Sequence, residues 1–271
     1  MRRTRTATWV FSLSFHLLFL PHQLKNPHIV PFLAALFVWA VSHSAKLADL
    51  SPALRAKQAL WAALGVSAFM ALIAALALSG VLARFDLRPP PLVLWLAATL
   101  ASALAVGLSP LGRRFAEQLP WVALVGFQAF RLPLELLMHR AAGEGVMPSV
   151  MSFGGYNFDI LTGITAALLG LALLRGPVPR SVLVAWNVLG STLLAVVVTI
   201  ALLATPIIRA FGDDQLNLWV TRFPYCWMAV MVSSALLGHV LVVRKLRAQV
   251  RNGDVVLLQD ARERGAVVAL R

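Results

Sequence analysis

Gln128, Arg131, Glu135 and His139 follow one another at spacings of three, four and four residues. On a helix of 3.6 residues per turn those spacings put all four on one face. Arg131 and Glu135, four apart, can also pair within the helix. A little further on, Gly154-Gly155-Tyr156-Asn157-Phe158-Asp159 supplies an amide and a second carboxylate, with Thr162 and Thr165 behind them. A guanidinium, two carboxylates and a carboxamide can hold an ion or a small polar solute, relay a proton, or do acid–base work. Fully paired, they can also do no more than fasten one helix to another.

The segments that carry these residues are apolar. The 271-residue chain is 59% hydrophobic and only 13% charged, with a mean hydropathy of +0.79. A soluble domain is nearer one quarter charged, so this chain has too little charge to cover a globule of its size. It has enough for the two ends of a bundle whose sides face lipid. A helix needs about 20 apolar residues to cross the hydrocarbon. Six stretches meet that: about 58–82, 91–109, 119–138, 157–174, 181–207 and 217–243. A seventh, 29–45, is slightly short and carries no charge before Lys46. The expected fold is all-α: a polytopic transmembrane bundle with a six-span core and one or two further N-terminal hydrophobic helices. The expected organisation is an N-terminal extension over 1–57, a core over 58–243 and a basic tail over 244–271.

The stretch 7–20 is apolar but reaches only ~21 Å as a helix. Three readings stay open for it: a short span, a signal-peptide core behind Arg2, Arg3 and Arg5, or a misplaced start. For the rest, loop charge sets the orientation. Fourteen Lys and Arg fall on the side of the C-terminal tail, and six on the other, which also holds Asp213 and Asp214. The bias predicts a cytoplasmic tail and an inner-membrane location. The net charge of +13 is thereby an orientation signal. With no basic folded domain to carry it, no nucleic-acid partner is expected, and the lipid bilayer is the surrounding phase. Trp61, Trp121 and Trp219 fall near predicted helix ends, where indoles favour the interface.

Charge at mid-membrane costs about 2.5–3.5 kcal/mol per residue on insertion scales, so the charged set in 119–138 and its neighbour at 157–159 need partners or a cavity. The spans 119–138 and 157–174 are joined by one loop and are expected to be antiparallel neighbours. The predicted result is a polar cluster of Gln128, Arg131, Glu135, Asn157 and Asp159 in the outer leaflet, with Arg131 bridging the two carboxylates. Towards the inner side, Asn187 and His239 are expected to bond between helices. The loop 141–156 is apolar, contains Pro148 and Gly154-Gly155, and is expected to dip back or form a lid. The single Cys226 rules out an intramolecular disulfide. No zinc spacing, nucleophile elbow or dinucleotide fingerprint occurs, so no metal and no catalytic residue are expected. No cofactor is expected either; a bis-histidine haem between His43 and His239 is the weakest of the readings.

Several stretches together resemble a family of small bacterial multi-span membrane proteins of uncharacterised function. They are Gln128-Ala-Phe-Arg131-Leu-Pro133-Leu-Glu135, the long run Met151 to Thr165, Trp186-Asn187, Phe223-Pro224, His239, and Phe85 to Pro91. The resemblance covers about 58–245. It implies that these polar residues are the family's characteristic set and implies no activity. Members of the family often carry an acidic and a basic residue where this chain has Gly154 and Tyr156. Three functions then compete. The first is a transporter or binder of a small polar solute or ion entering from the outer side. The second is a structural or assembly protein in which the cluster pins helices. The third is an intramembrane enzyme, the least supported, because no nucleophile or metal set accompanies the acids.

Overall fold

The computed structural model describes residues 29–269, with side chains as far as Val250. Eight helices make up the described chain: α1 (Ile29–Leu47), α2 (Pro52–Leu78), α3 (Pro91–Leu108), a short amphipathic α4 (Pro110–Gln118), α5 (Trp121–Gly143), α6 (Ile160–Arg175), α7 (Arg180–Leu203) and α8 (Met228–Ala269). Six segments are long and apolar enough to cross a membrane: α1, α2, α3, α5, α7 and Tyr225–Val250 at the start of α8. The 16-residue α6 is the shorter seventh. The chain is an all-α, multi-pass membrane bundle, and no strand occurs among the described residues.

Local chemistry explains the boundaries. α2 starts earlier than hydropathy alone indicates because Ser51 caps it, accepting from the Leu54 N–H at 3.4 Å, and Pro52 occupies the first turn. The sequence reading began the last span at 217, yet regular helix begins only at Met228. Between Asn217 and Met228 the chain forms two short 3₁₀ turns, Trp219–Thr221 and Tyr225–Trp227, with Pro224 between them. Beyond the membrane α8 runs on without a break to Ala269.

Burial is uneven. In α2 only Ile73 is buried, and Leu60, Trp61, Leu64 and Leu72 stand exposed along it. An apolar helix at the rim of a bundle turns such a surface to lipid. α5, by contrast, has half of its span buried. It packs on α6, and α8 packs on α3 and α7. α4 is tied in by Arg114, which donates to Gln58 Oε1 at 2.8 Å and to Ser44 Oγ at 3.2 Å.

One end of the bundle is covered by a lid. The loop after α5 folds onto the bundle rather than away from it. Met147, Val150 and Met151 enter the same apolar cluster as Leu134, Leu194 and Trp219. The segment 204–227 lies beside it, with Gln215 Oε1 accepting from the Val150 N–H at 3.2 Å and from Ser149 Oγ at 3.1 Å.

Candidate functional site

The charged face of α5 is shaped by Pro133. Lacking an N–H, it cannot bond the carbonyl one turn earlier. The helix tightens to a 3₁₀ turn over Phe127–Phe130 and resumes as α-helix at Arg131. The turn redirects Gln128. Its Nε2 donates at 2.9 Å to the Ala235 carbonyl of α8, where Gly238 leaves room for the amide. Gln128 therefore sits between α5 and α8, and its hydrogen bond does not join it to the other four residues of the expected cluster.

Those four do meet. Arg131, 1% exposed, donates through Nη1 to Asp159 Oδ1 at 2.7 Å. The same oxygen accepts from Thr162 Oγ1 at 2.9 Å. Asp159 stands at the start of α6, where the helix dipole favours an acid. Glu135 is held otherwise: Asn157 Nδ2 donates to its Oε2 at 2.8 Å and to the Met151 carbonyl at 2.9 Å. The Asp159 N–H closes the turn on Asn157 Oδ1 at 3.0 Å. Arg131 thus does not bridge the two carboxylates. A helical side chain leans towards the N-terminus, which carries the guanidinium away from Glu135, one turn further on. Gly163 permits the close crossing, since a Cβ there would strike the backbone of Leu132.

Asn187 and His239 form the expected bond, Oδ1 to Nδ1 at 2.9 Å. With the amide oxygen placed there, His239 carries its hydrogen on Nδ1. The pair is not a separate inner layer, however. Gly190, one turn after Asn187, joins the two groups. Its carbonyl lies 3.5 Å from Arg131 Nη1, and a Cβ on it would come within 2.5 Å of His239 Cε1 and 2.9 Å of Thr162 Cγ2. One polar layer therefore crosses α5, α6, α7 and α8. The fourth member of the α5 face, His139, lies nearer the lid and stacks on Phe153 at 4.0 Å between centroids. His43 stacks on Trp39 at 4.7 Å.

Several polar atoms in and around this layer lack a partner among the described residues: Arg131 Nε and Nη2, His239 Nε2 and Gln128 Oε1. Arg131, Glu135 and Asp159 are among the residues lining a cavity of about 120 Å³. Leu194, Val198, Met231 and Val232 are among its apolar lining residues, and Trp95 and Trp219 line it as well. Trp95 Nε1, Trp219 Nε1 and Asn217 Oδ1 are also buried without partners. Trp219 is packed inside the protein and 7% exposed. Cys226 lines the same cavity. A second, larger cavity of about 610 Å³ lies between α1, α2, α3 and α8, with Arg114 and Gln58 at one end.

The sequence reading missed Gly190, Trp95 and Asn217. An isolated glycine in an apolar helix signals only close packing, and a single indole or amide signals still less; what distinguishes these residues is which distant helix they face. No group of three potential metal-ligating side chains occurs among the described residues. In comparisons with known proteins, no family, no curated sequence and no solved structure matches this chain.

Proposed function

We propose that this membrane protein is a binder or carrier of a small solute, and that the solute sits in the cavity between the lid and Arg131. One observation carries the reading: a guanidinium buried to 1% exposure keeps two of its three nitrogens unpartnered among the described residues, and Arg131 is one of the residues lining that cavity. A side chain serving only to pin α5 to α6 would be expected to have its donors met. Unmet buried donors cost about 1–3 kcal/mol each, more when charged, and a ligand with acceptor atoms relieves that cost. Charge bias in the loops supports an external lid and a cytoplasmic tail, so the solute would arrive from outside. The resemblance to a family of bacterial multi-span proteins fits the same picture, with this polar layer as the shared feature.

The second reading, a structural pin, has the Arg131–Asp159 pair in its favour, because that contact alone joins two helices. Thiol labelling separates the two. Val198 lines the cavity; Val198→Cys in a Cys226→Ser background is treated in sealed vesicles with a small membrane-impermeant reagent. The binding-site reading expects labelling from the lid side, slower than at a lid-loop control. An inert thiol at position 198 beside a reactive control would leave the pin as the better account.

A further inference from the structure

We infer that the larger cavity, between α1, α2, α3 and α8, holds a phospholipid with an anionic headgroup, one acyl chain lying inside it and the phosphate beside Arg114. This is a second site, independent of the solute cavity. Helix α8 stands between the two, lining this cavity with Val230, Ser233 and Leu237 and the other with Ala229, Val232 and Ala235. The volume of about 610 Å³ falls within the roughly 300–1,000 Å³ of ligand sites. Its walls are mostly apolar, with Phe37, Val66, Phe69 and Leu237 among them. The hydroxyls of Ser102 and Ser233 donate to the backbone carbonyls of Thr99 and Ala229, at 2.8 and 2.9 Å. Such walls give a polar solute few partners and favour hydrocarbon. On α2 the lining residues Gln58, Trp61, Ala62, Gly65, Val66 and Phe69 follow one helix face. From Gln58 to Phe69 they extend about 16 Å along the helix, roughly half of a ~30 Å hydrocarbon core. Trp61, 64% exposed, and the exposed Gly65 also belong to the outer surface of the bundle. There the apolar α2 meets lipid, so an acyl chain can enter sideways.

Charge then selects the headgroup. Arg114 donates to Ser44, near the end of α1, and to Gln58, near the start of α2. The α2 lining therefore begins beside Arg114, at the end of the bundle, and runs inward from it. The partners of this guanidinium are all neutral: a hydroxyl, a carboxamide oxygen and the Val41 carbonyl. Among the described residues Arg114 makes no ion pair, and it is the one charged residue that lines the cavity. Lys46, Arg55, Lys57 and Arg113 lie in the same end segments, against Asp49 and Glu117. A lipid phosphate there meets an excess of positive charge, with one half-buried guanidinium already held in place by its bonds. Half-buried charge is screened less by salt than exposed charge. A zwitterionic lipid would bring a second cation to this basic end, whereas an anionic headgroup brings none. Basic residues beside a bilayer attract anionic lipid for the same reason.

The full chain in dodecyl maltoside is titrated with dioleoylphosphatidylglycerol, dioleoylphosphatidylcholine and glycerol 3-phosphate. Tm is read throughout, and native mass spectrometry counts the lipids held. Phosphatidylglycerol should raise Tm saturably, at a concentration about fivefold below phosphatidylcholine, the gain expected from one basic residue at a lipid surface. Glycerol 3-phosphate should have no effect. Gly65→Trp fills the cavity from a position where nothing lies within 4 Å of a Cβ; it should remove one bound lipid and the saturable rise. Arg114→Gln should bring the two lipids level. Arg114→Lys, which keeps the charge without the full set of bonds, should keep the preference. The two Arg114 variants serve alone if Gly65→Trp does not fold. Equal binding of the two lipids by the wild type, or a preference unchanged in Arg114→Gln, would overturn the anionic headgroup. A rise undiminished in Gly65→Trp would overturn the inference by placing the lipid elsewhere. Glycerol 3-phosphate as effective as the lipid would leave a free-phosphate site. A lipid-free dimer that Gly65→Trp makes monomeric, read by light scattering, would name a second copy of the chain as the occupant. Either of these results overturns the inference too.

Discussion

Gly190→Ala tests whether the polar residues of four helices form one layer. The added Cβ would stand 2.5 Å from His239 Cε1, 2.9 Å from His239 Nε2 and 2.9 Å from Thr162 Cγ2. Ordinary carbon contacts lie at about 3.5–4.0 Å, so the overlap with the imidazole is about 1 Å. Neither neighbour can yield freely. His239 is 2% exposed and bonded to Asn187, and Thr162 is fully buried and bonded to Asp159. Overpacking of this kind costs about 1–3 kcal/mol, and displacing either hydrogen bond adds about 1 kcal/mol. The gain in helix propensity from glycine to alanine returns about 0.5–1 kcal/mol. The net expectation is a loss of about 1–3 kcal/mol, or a fall in Tm of several degrees at about 2–4 °C per kcal/mol for a chain of this size. Gly65 in α2 is the internal control: nothing lies within 4 Å of a Cβ there, so Gly65→Ala should be neutral or stabilising by up to ~1 kcal/mol. Thermal unfolding in detergent, followed by circular dichroism, reads both. A Gly190→Ala protein as stable as wild type would refute the single-layer geometry.

Three further outcomes follow from the same contacts. Asp159→Leu or Arg131→Met alone should destabilise by about 3–5 kcal/mol, and the double variant should regain at least half of the summed loss; detergent-denaturation curves that simply add would contradict the pairing. Arg114→Ala removes bonds from α4 to Ser44 and Gln58 and should cost about 1 kcal/mol, with faster hydrogen exchange at the start of α2; unchanged exchange would show that Arg114 does not hold these helices. In the loop between α2 and α3, the bonded Arg84 guanidinium lowers the Asp86 carboxyl to about 2. The stabilising contact is therefore complete above the ordinary aspartate range and lost as pH falls through about 2. Carboxyl-carbon NMR should show that midpoint in wild type and a return towards the ordinary range in Arg84→Gln.

The spans were legible because hydropathy is a property of the segment itself. Ser51-Pro52 even marks where α2 starts. The Arg131–Asp159 and Asn187–His239 pairs were legible for a different reason: a polar group inside a membrane must find a partner, and few candidates existed at each depth. The direction of each side chain was not. The 3₁₀ turn ahead of Pro133 turns Gln128 towards α8, and the Asn157 amide, not Arg131, takes Glu135. Each follows from backbone geometry fixed by packing over a long sequence separation. Gly190 is the clearest case, since its meaning depends on His239 in another helix, far along the chain.

The most direct test of the account is the environment of the Arg131 guanidinium, seen by high-resolution electron cryo-microscopy of the full chain in lipid nanodiscs. The account predicts Nη1 on Asp159, Glu135 on the Asn157 amide, and density for a solute or ordered water against Nε and Nη2 inside the cavity. A guanidinium whose Nε and Nη2 are both bonded to Glu135, with the cavity closed around it, would contradict the proposed function and leave a helix pin.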